Sequence, residues 1–317
     1  MKFSLRLNND LPLELYPRLA RAAEDAGFDQ FWVSDDLFLR SAWVILSSVA
    51  LATSRIQIGT CIVNPYTLHP AEMAMAAATL DELSGGRFVL GLSSGADDFL
   101  GWVGIRAERP RTTVKETVNA LRRLWRGEPG DAPGWTAQAH LRFAAREIPI
   151  YIGAMSPRML RLIGEVADGG LPLLFPPEHF SEVMSYIGTE RPVDIAACIW
   201  CSVTRADYAA AEWALREKIA YYGHALSPLI LDRLGLNRVD FDPIQERMQS
   251  GDTQGAAQLV TEQMLRIGVV GTAQDLLPRL EQLERLGARH LSFGPPLGPD
   301  LFEAISVLGS DVLPRFR

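Results

Sequence analysis

KFSLRLNNDLPLELYPRLARAAEDAGFDQFWVS, residues 2–34, is the stretch on which the fold turns. It opens with a strand-like run, Lys2 to Leu7, crosses a polar turn, and enters Leu13 to Ala26, whose apolar residues recur near the helical period. Gly27 stands where a helix ends on a left-handed residue, and Gln30 to Ser34 follows as a second strand. Strand, helix, glycine, strand is the unit of a parallel α/β architecture.

Outward from this unit the same grammar repeats. Strands are expected at Ile56 to Val63, Phe88 to Ser93, Ile148 to Gly153, Gly170 to Leu174, Asp194 to Val203 and His290 to Phe293. Helices are expected at Ala42 to Thr53, Pro70 to Leu83, Arg111 to Trp125, Pro157 to Ala167 and Ala273 to Leu286, the last again followed by glycine, Gly287. Eight strands with intervening helices favour a closed (β/α)8 TIM barrel formed as one domain over residues 1–317. Two segments break the rhythm, Arg126 to Arg146 and Ala225 to Thr253, and are expected as insertions over or beside the C-terminal face.

With a net charge of -7 and a pI near 5.4, the chain lacks the basic stripe of a duplex-binding protein, so small-molecule partners are expected. Cys61, Cys198 and Cys201 make no disulfide framework, and strand alternation puts Cys198 and Cys201 on opposite faces. No signal-peptide pattern opens the sequence, and no apolar run reaches the roughly 18 residues of a membrane span, so a cytoplasmic location is expected. The five histidines form no H-E-x-x-H cluster, and G-x-S-x-G and G-x-G-x-x-G are absent in the required context. No metal is expected.

In such a barrel the C-terminal ends of strands carry the functional candidates. Ser34-Asp35-Asp36 ends the second strand, its carboxylates serving either as acid, base or acceptor in the site or as a helix cap. The third strand runs through Cys61 and Ile62 to Asn64-Pro65, small residues and a turn that let backbone approach a flat ligand. Ser93, Ser94 and Gly95 either fold over a cofactor or form a plain turn. At Gly153-Ala154-Met155-Ser156-Pro157 a strand enters a helix with Ser156 as N-cap and Pro157 at the first helical position, which is a phosphate seat or simply a capped helix start. Arg6, in a strand buried on both faces, points inward near the mouth, either to clamp a carboxylate or phosphate of a substrate or to form an internal salt bridge to Asp35, Asp36 or another acid. Trp200 and Phe293 are candidate substrate contacts, the alternative for an aromatic in a strand being the core.

Taken together, Trp32-Val-Ser-Asp-Asp36, Gly59-Thr-Cys-Ile-Val-Asn-Pro-Tyr66, Thr79-Leu-Asp-Glu-Leu-Ser-Gly-Gly-Arg-Phe88 and Leu90-Gly-Leu-Ser-Ser-Gly95 resemble the luciferase-like superfamily. Ile148 to Pro157, Ala167-Asp-Gly169 and Gly294-Pro-Pro-Leu-Gly-Pro-Asp300 look like the branch containing methylenetetrahydromethanopterin reductase. The resemblance spans essentially the whole chain. It implies a luciferase-like barrel, usually a homodimer, that binds the deazaflavin coenzyme F420 or, in other branches, FMN. It further implies a cis peptide at Cys61-Ile62 as a backstop for the ring, and a phosphate turn at Gly153 to Ser156.

Departures from the pattern narrow the chemistry. Where alcohol- and sugar-oxidising relatives place a histidine this chain has Asp36, and where the methanopterin reductases carry a glutamate and an aspartate it has Arg6 and Ala96. The expectation is an F420-dependent reductase acting on a C=N or activated C=C bond of a small anionic metabolite. In it Arg6 binds the anion, Asp36 relays a proton, and Asp35, Asn64 and the three loops hold the cofactor. The alternatives are an FMN-dependent monooxygenase of the same fold and a protein that binds the cofactor without catalysis.

Overall fold

Residues 2–34 fold as β1 (Lys2–Leu7), α1 (Leu15–Ala26) and β2 (Gln30–Val33), and Gly27, at φ 90°, closes the helix by donating its N–H to the last turn. The structure, a computed structural model, describes residues 1–174, 176–188 and 191–317. The unit then recurs as α2 (Ala42–Ala52), β3 (Gln57–Thr60), α3 (Pro70–Leu83) and β4 (Phe88–Leu92), followed by α4 (Asp97–Trp102) and α5 (Pro110–Trp125). Next come β5 (Ile150–Ala154), α6 (Pro157–Val166), β6 (Gly169–Pro172) and α7 (Phe180–Ile187). Three short strands follow, β7 (Asp194–Ile195), β8 (Ala197–Ile199) and β9 (Cys201–Val203), and then a helical block of α8 (Tyr208–Tyr222), α9 (Pro228–Arg233), α10 (Asp242–Gln249), α11 (Thr253–Gln258) and α12 (Glu262–Leu265). The chain ends with β10 (Val269–Gly271), α13 (Ala273–Arg285), β11 (His290–Phe293) and α14 (Leu301–Val307).

Parallel strands join in the order β7-β6-β5-β4-β3-β2-β1-β11-β8. Only Ala196 separates β7 from β8, so the two ends of this sheet are consecutive pieces of one run and the ring closes. Leu174 N–H donates to the Cys198 carbonyl across the closure at 3.1 Å.

The expected strand Asp194 to Val203 is thus three strands, because its neighbours change along its length. β7 pairs with β6, β8 with β11, and β9 with β10. The segment 225–253 carries helices rather than irregular chain and does overhang the C-terminal face. The segment 126–146 departs from expectation: it runs along the outside of α3, where Arg146 ion-pairs with Asp81 at 3.0 Å and Trp135 stacks on His69.

Burial divides into two layers. Phe3, Leu5, Phe31, Leu90, Ile152 and Leu291 point outward into the helix layer, while Trp32, Val89, Tyr151, Leu171 and Cys198 fill the barrel interior. Trp32 and Tyr151 pack 5.3 Å apart, and each has a glycine beside it on the next strand, Gly59 and Gly169. A Cβ on either glycine would lie 2.4 or 2.3 Å from the ring, so these positions make the room the aromatics occupy.

Below this layer the barrel is plugged by polar side chains. Asp194 accepts from Lys2 Nζ and Tyr151 Oη, both at 2.7 Å, and contacts His290 Nδ1 at 3.1 Å. His290 Nε2 lies 2.9 Å from Ser4 Oγ. The distances match a Ser-His-Asp triad, but Ser4 and His290 are fully buried and leave a substrate no approach. Burial pushes the Asp194 carboxyl up, yet the His290, Lys2 and Tyr151 contacts outweigh it and hold the group well below the usual carboxylate range.

Candidate active site

Above the aromatic layer the strand ends open into a cleft of about 660 Å³, within the range of small-molecule sites. Arg6, Asp35, Asp36, Cys61, Ile62, Asn64, Ser93, Ser94, Gly95, Gly153, Ala154, Met155, Ser156 and Trp200 all line it. Phe293 does not: strand parity turns it outward, fully buried and edge-on to Phe28 at 6.3 Å, while Ser292 takes the inward position.

Strand parity brings Arg6 inside, where it is 8% exposed. Its Nε donates to Ser292 Oγ at 3.1 Å and its Nη2 to the Ile199 carbonyl at 3.0 Å. The internal ion pair with Asp35 or Asp36 is not formed. Among the described residues all the hydrogen-bond acceptors on this guanidinium are neutral, so its charge is held in place without a carboxylate to cancel it.

Asp35 caps α2, accepting from Ala42 N–H at 3.0 Å. Asp36 is fixed through its backbone, whose carbonyl accepts from Asn9 Nδ2 at 3.0 Å, and its carboxylate is left to the cleft. Burial pushes both carboxyls above the usual range; for Asp36 a nearby Lys218 pulls back, while Asp35 and Asp10 add to the rise.

One wall is made of close-packed loops. Cys61-Ile62 is a cis peptide. A Cβ on Gly153 would meet Ile62 at 2.9 Å, and Ser93 Oγ donates to the Gly153 carbonyl at 2.7 Å, which ties the β4 and β5 ends together. Asn64 Oδ1 accepts from the Tyr66 and Thr67 amides, both at 3.0 Å, and so holds the turn after Ile62. Ser156 is the N-cap of α6 and Pro157 its first residue, but the Ser156 side chain makes no capping bond, so the first-turn amides stay open to a ligand.

The opposite wall comes from α8 and the chain after it, which the periodicity of the sequence did not reveal. Lys218 lines the cleft, with its Nζ 5.4, 5.4 and 5.3 Å from the ring centres of Trp200, Tyr221 and Tyr222. Burial lowers this ammonium from 10.5 to about 8, against the opposing pull of Asp36. At the rim His224 Nε2 contacts Asp98 Oδ2 at 3.1 Å, joining α4 to the chain after α8, while His224 Nδ1 and Ser227 Oγ are buried without a hydrogen-bond partner among the described residues. Phe99 lines the cleft and packs on Trp102, which in turn meets the exposed Phe38, held in left-handed backbone at φ 66°.

A cofactor-sized cleft at the C-terminal ends of a parallel barrel, with the loops after β2, β3, β4 and β5 converging on it, is accompanied by a sequence match. A family model described as luciferase-like monooxygenase covers residues 6–290. The chain belongs to the luciferase-like family. Within it, the 5,10-methylenetetrahydromethanopterin reductase of Archaeoglobus fulgidus is 33% identical over the whole of both chains. The reductase of the same name from Methanolobus tindarius is 31% identical, covering 99% of this chain and 100% of the other. The solved structure of the coenzyme F420-dependent tetrahydromethanopterin reductase from Methanopyrus kandleri superposes with a TM-score of 0.87 at 28% identity, covering 100% of this chain and 99% of that one.

Arg6 lies on the cleft floor, and Ala96 is the N-cap of α4, with Asp97 and Asp98 following in its first turn.

Proposed function

We propose that this chain is an F420-dependent oxidoreductase that reduces a C=N or activated C=C bond in a small anionic substrate, working as a homodimer. The observation that carries the substrate class is Arg6, a buried guanidinium held only by neutral acceptors. An unpaired charge in that position costs several kcal/mol unless a ligand neutralises it, and a carboxylate or phosphate does so. Family membership and the names of its relatives support the cofactor.

The donor set fits a deazaflavin. The small-residue wall at Cys61, Ile62 and Gly153 accepts a flat ring, the open amides at the start of α6 suit its phosphate, and the partnerless Ser227 Oγ with Arg238 at the rim suits an anionic tail. When bound, F420 supplies a hydride. The chain's own residues do the rest: Arg6 orients the substrate anion and Asp36 relays a proton. For the dimer, Val44 and Leu51 on α2 and Met75 and Leu83 on α3 leave an exposed apolar face on two neighbouring helices.

Parallel titrations of F420 and FMN, followed by tryptophan quenching, test the cofactor. Micromolar or tighter F420 binding with none for FMN is expected, and reduced F420 should then be oxidised by anionic cyclic imines or enones. FMN binding alone would make the chain a monooxygenase instead.

A further inference from the structure

Lys218 is one of three lysines in a chain with 31 lysines and arginines. The other two, Lys2 and Lys115, pair with Asp194 and Glu165 away from the cleft. Arginine keeps its proton at any working pH, whereas lysine surrenders one when its surroundings favour the amine. The cleft therefore holds a fixed cation, Arg6, and an exchangeable one, in a protein that uses arginine almost everywhere else.

The lysine is positioned rather than merely buried. Trp200, Tyr221 and Tyr222 surround its Nζ, and cation-π attraction holds the ammonium there without an acceptor that would engage its protons. The charged and titratable groups around it are Asp36, Arg6, Asp10 and Cys61, and it makes no ion pair among the described residues.

We propose that Lys218 is the proton donor of the reaction, passing a proton from Nζ to the substrate atom that does not receive the hydride, with Asp36 returning a proton from solvent to the amine. The assignment rests on reading the cleft as a hydride-transfer site. Hydride adds to carbon, the π pair of the C=N or C=C bond moves to the neighbouring atom, and that atom takes the Lys218 proton. The substrate gains two hydrogens, the reduced deazaflavin is oxidised by two electrons and gives up its N–H proton to solvent, and Lys218, left as the neutral amine, regains one from solvent through Asp36. The direction of the shifts agrees. Burial pushes Cys61 and Tyr222 up to about 12, so they keep their protons, while Lys218 comes down to about 8, where a general acid near neutral pH is effective.

The test begins with reductive 13C-methylation of the three lysines of the full-length protein and NMR titration. The resonance missing in Lys218→Met should titrate near 8, move lower still in Asp36→Asn, and shift when F420 is added. In turnover with reduced F420 and an anionic cyclic imine, Lys218→Met should lose about 100-fold in kcat with F420 affinity unchanged. Lys218→Arg, which keeps the charge but not the exchangeable proton, should not recover it. A Lys218 resonance titrating at the ordinary 10.5, or wild-type kcat in Lys218→Arg, would overturn the assignment, the latter making Lys218 an anion clamp. Failure of the wild type to bind F420 would instead overturn the cofactor reading, whichever way Lys218 titrates.

Discussion

At the bottom of the barrel Asp194 contacts His290, Lys2 and Tyr151. At the top the Asp36 carboxylate has no side-chain donor among the described residues, Arg6 has only neutral acceptors, and Lys218 sits among rings. Both ends hold buried ionisable groups. At the bottom each charge is matched inside the protein, so the group is structural even where its spacing imitates a catalytic triad. At the top the charges are held in position but left incomplete. Incomplete pairing, more than the identity of the residues, marks the working end.

The stability effect that most sharpens this contrast is at the plug. Asp194→Asn should cost about 2 kcal/mol of stability at neutral pH, read by urea unfolding, because it takes the charged acceptor from the buried His290 ring and Tyr151 hydroxyl, and F420 binding should be untouched. Because the folded carboxyl titrates below its ordinary 3.8, its stabilisation is complete above that pH and lost as pH falls through the folded value. The gap between wild type and variant should hold from neutrality down to mild acid and then close. An equal gap in strong acid would break the account.

Arg6→Met should do the reverse, lowering kcat/KM about 100-fold, or about 2.7 kcal/mol, with no loss of unfolding free energy. A stability loss like that at Asp194 would erase the distinction between the two ends. The layer between them is tested by Gly59→Ala, whose new methyl meets the Trp32 ring; about 2 kcal/mol of destabilisation is expected from overpacking, visible as a lower melting temperature.

The smallest effect is a gain. Lys218→Met should stabilise the fold by about 1 kcal/mol at pH 7, since the wild type bears the cost of an enclosed ammonium. Its folded value, about 8, lies below its ordinary 10.5, so the folded chain sheds the proton first and wild-type stability rises across that window. The advantage of the variant should shrink as pH is raised from 8 to 10.5; a constant advantage would count against the burial account.

The ring itself and its upper rim were legible because both are written in local pattern. β1, α3 and β11 fall where periodicity places them, and the residues ending β2 to β5 follow from strand parity alone. Three things were not legible, for separate reasons. α8 buries one stripe, Ala211, Leu215, Ile219 and Ala220, but Ala209, Ala210, Trp213, Ala214 and Tyr221 place apolar side chains on its other faces, so no stripe stands out in the sequence; Lys218 went with it. The scarcity of lysine was the one sequence signal that pointed there. β10 is three residues long with a glycine in it, and its pairing is with a strand distant in sequence. The Asp194 plug joins residues from the start, middle and end of the chain, which no window of sequence contains. Phe293 was misplaced by one step of strand alternation.

The division of one run into β7, β8 and β9 has a consequence for how this protein can change. The ring is complete at β8, and the chain leaves it at Trp200 to pair β9 with β10, two strands of three residues that bracket everything from α8 to α12. That bracket is a graft point. The wall carrying Lys218, Tyr221 and Tyr222 can be exchanged for another of different length or charge, in evolution or at the bench, while the barrel, Trp200 and the cofactor-facing loops stay as they are.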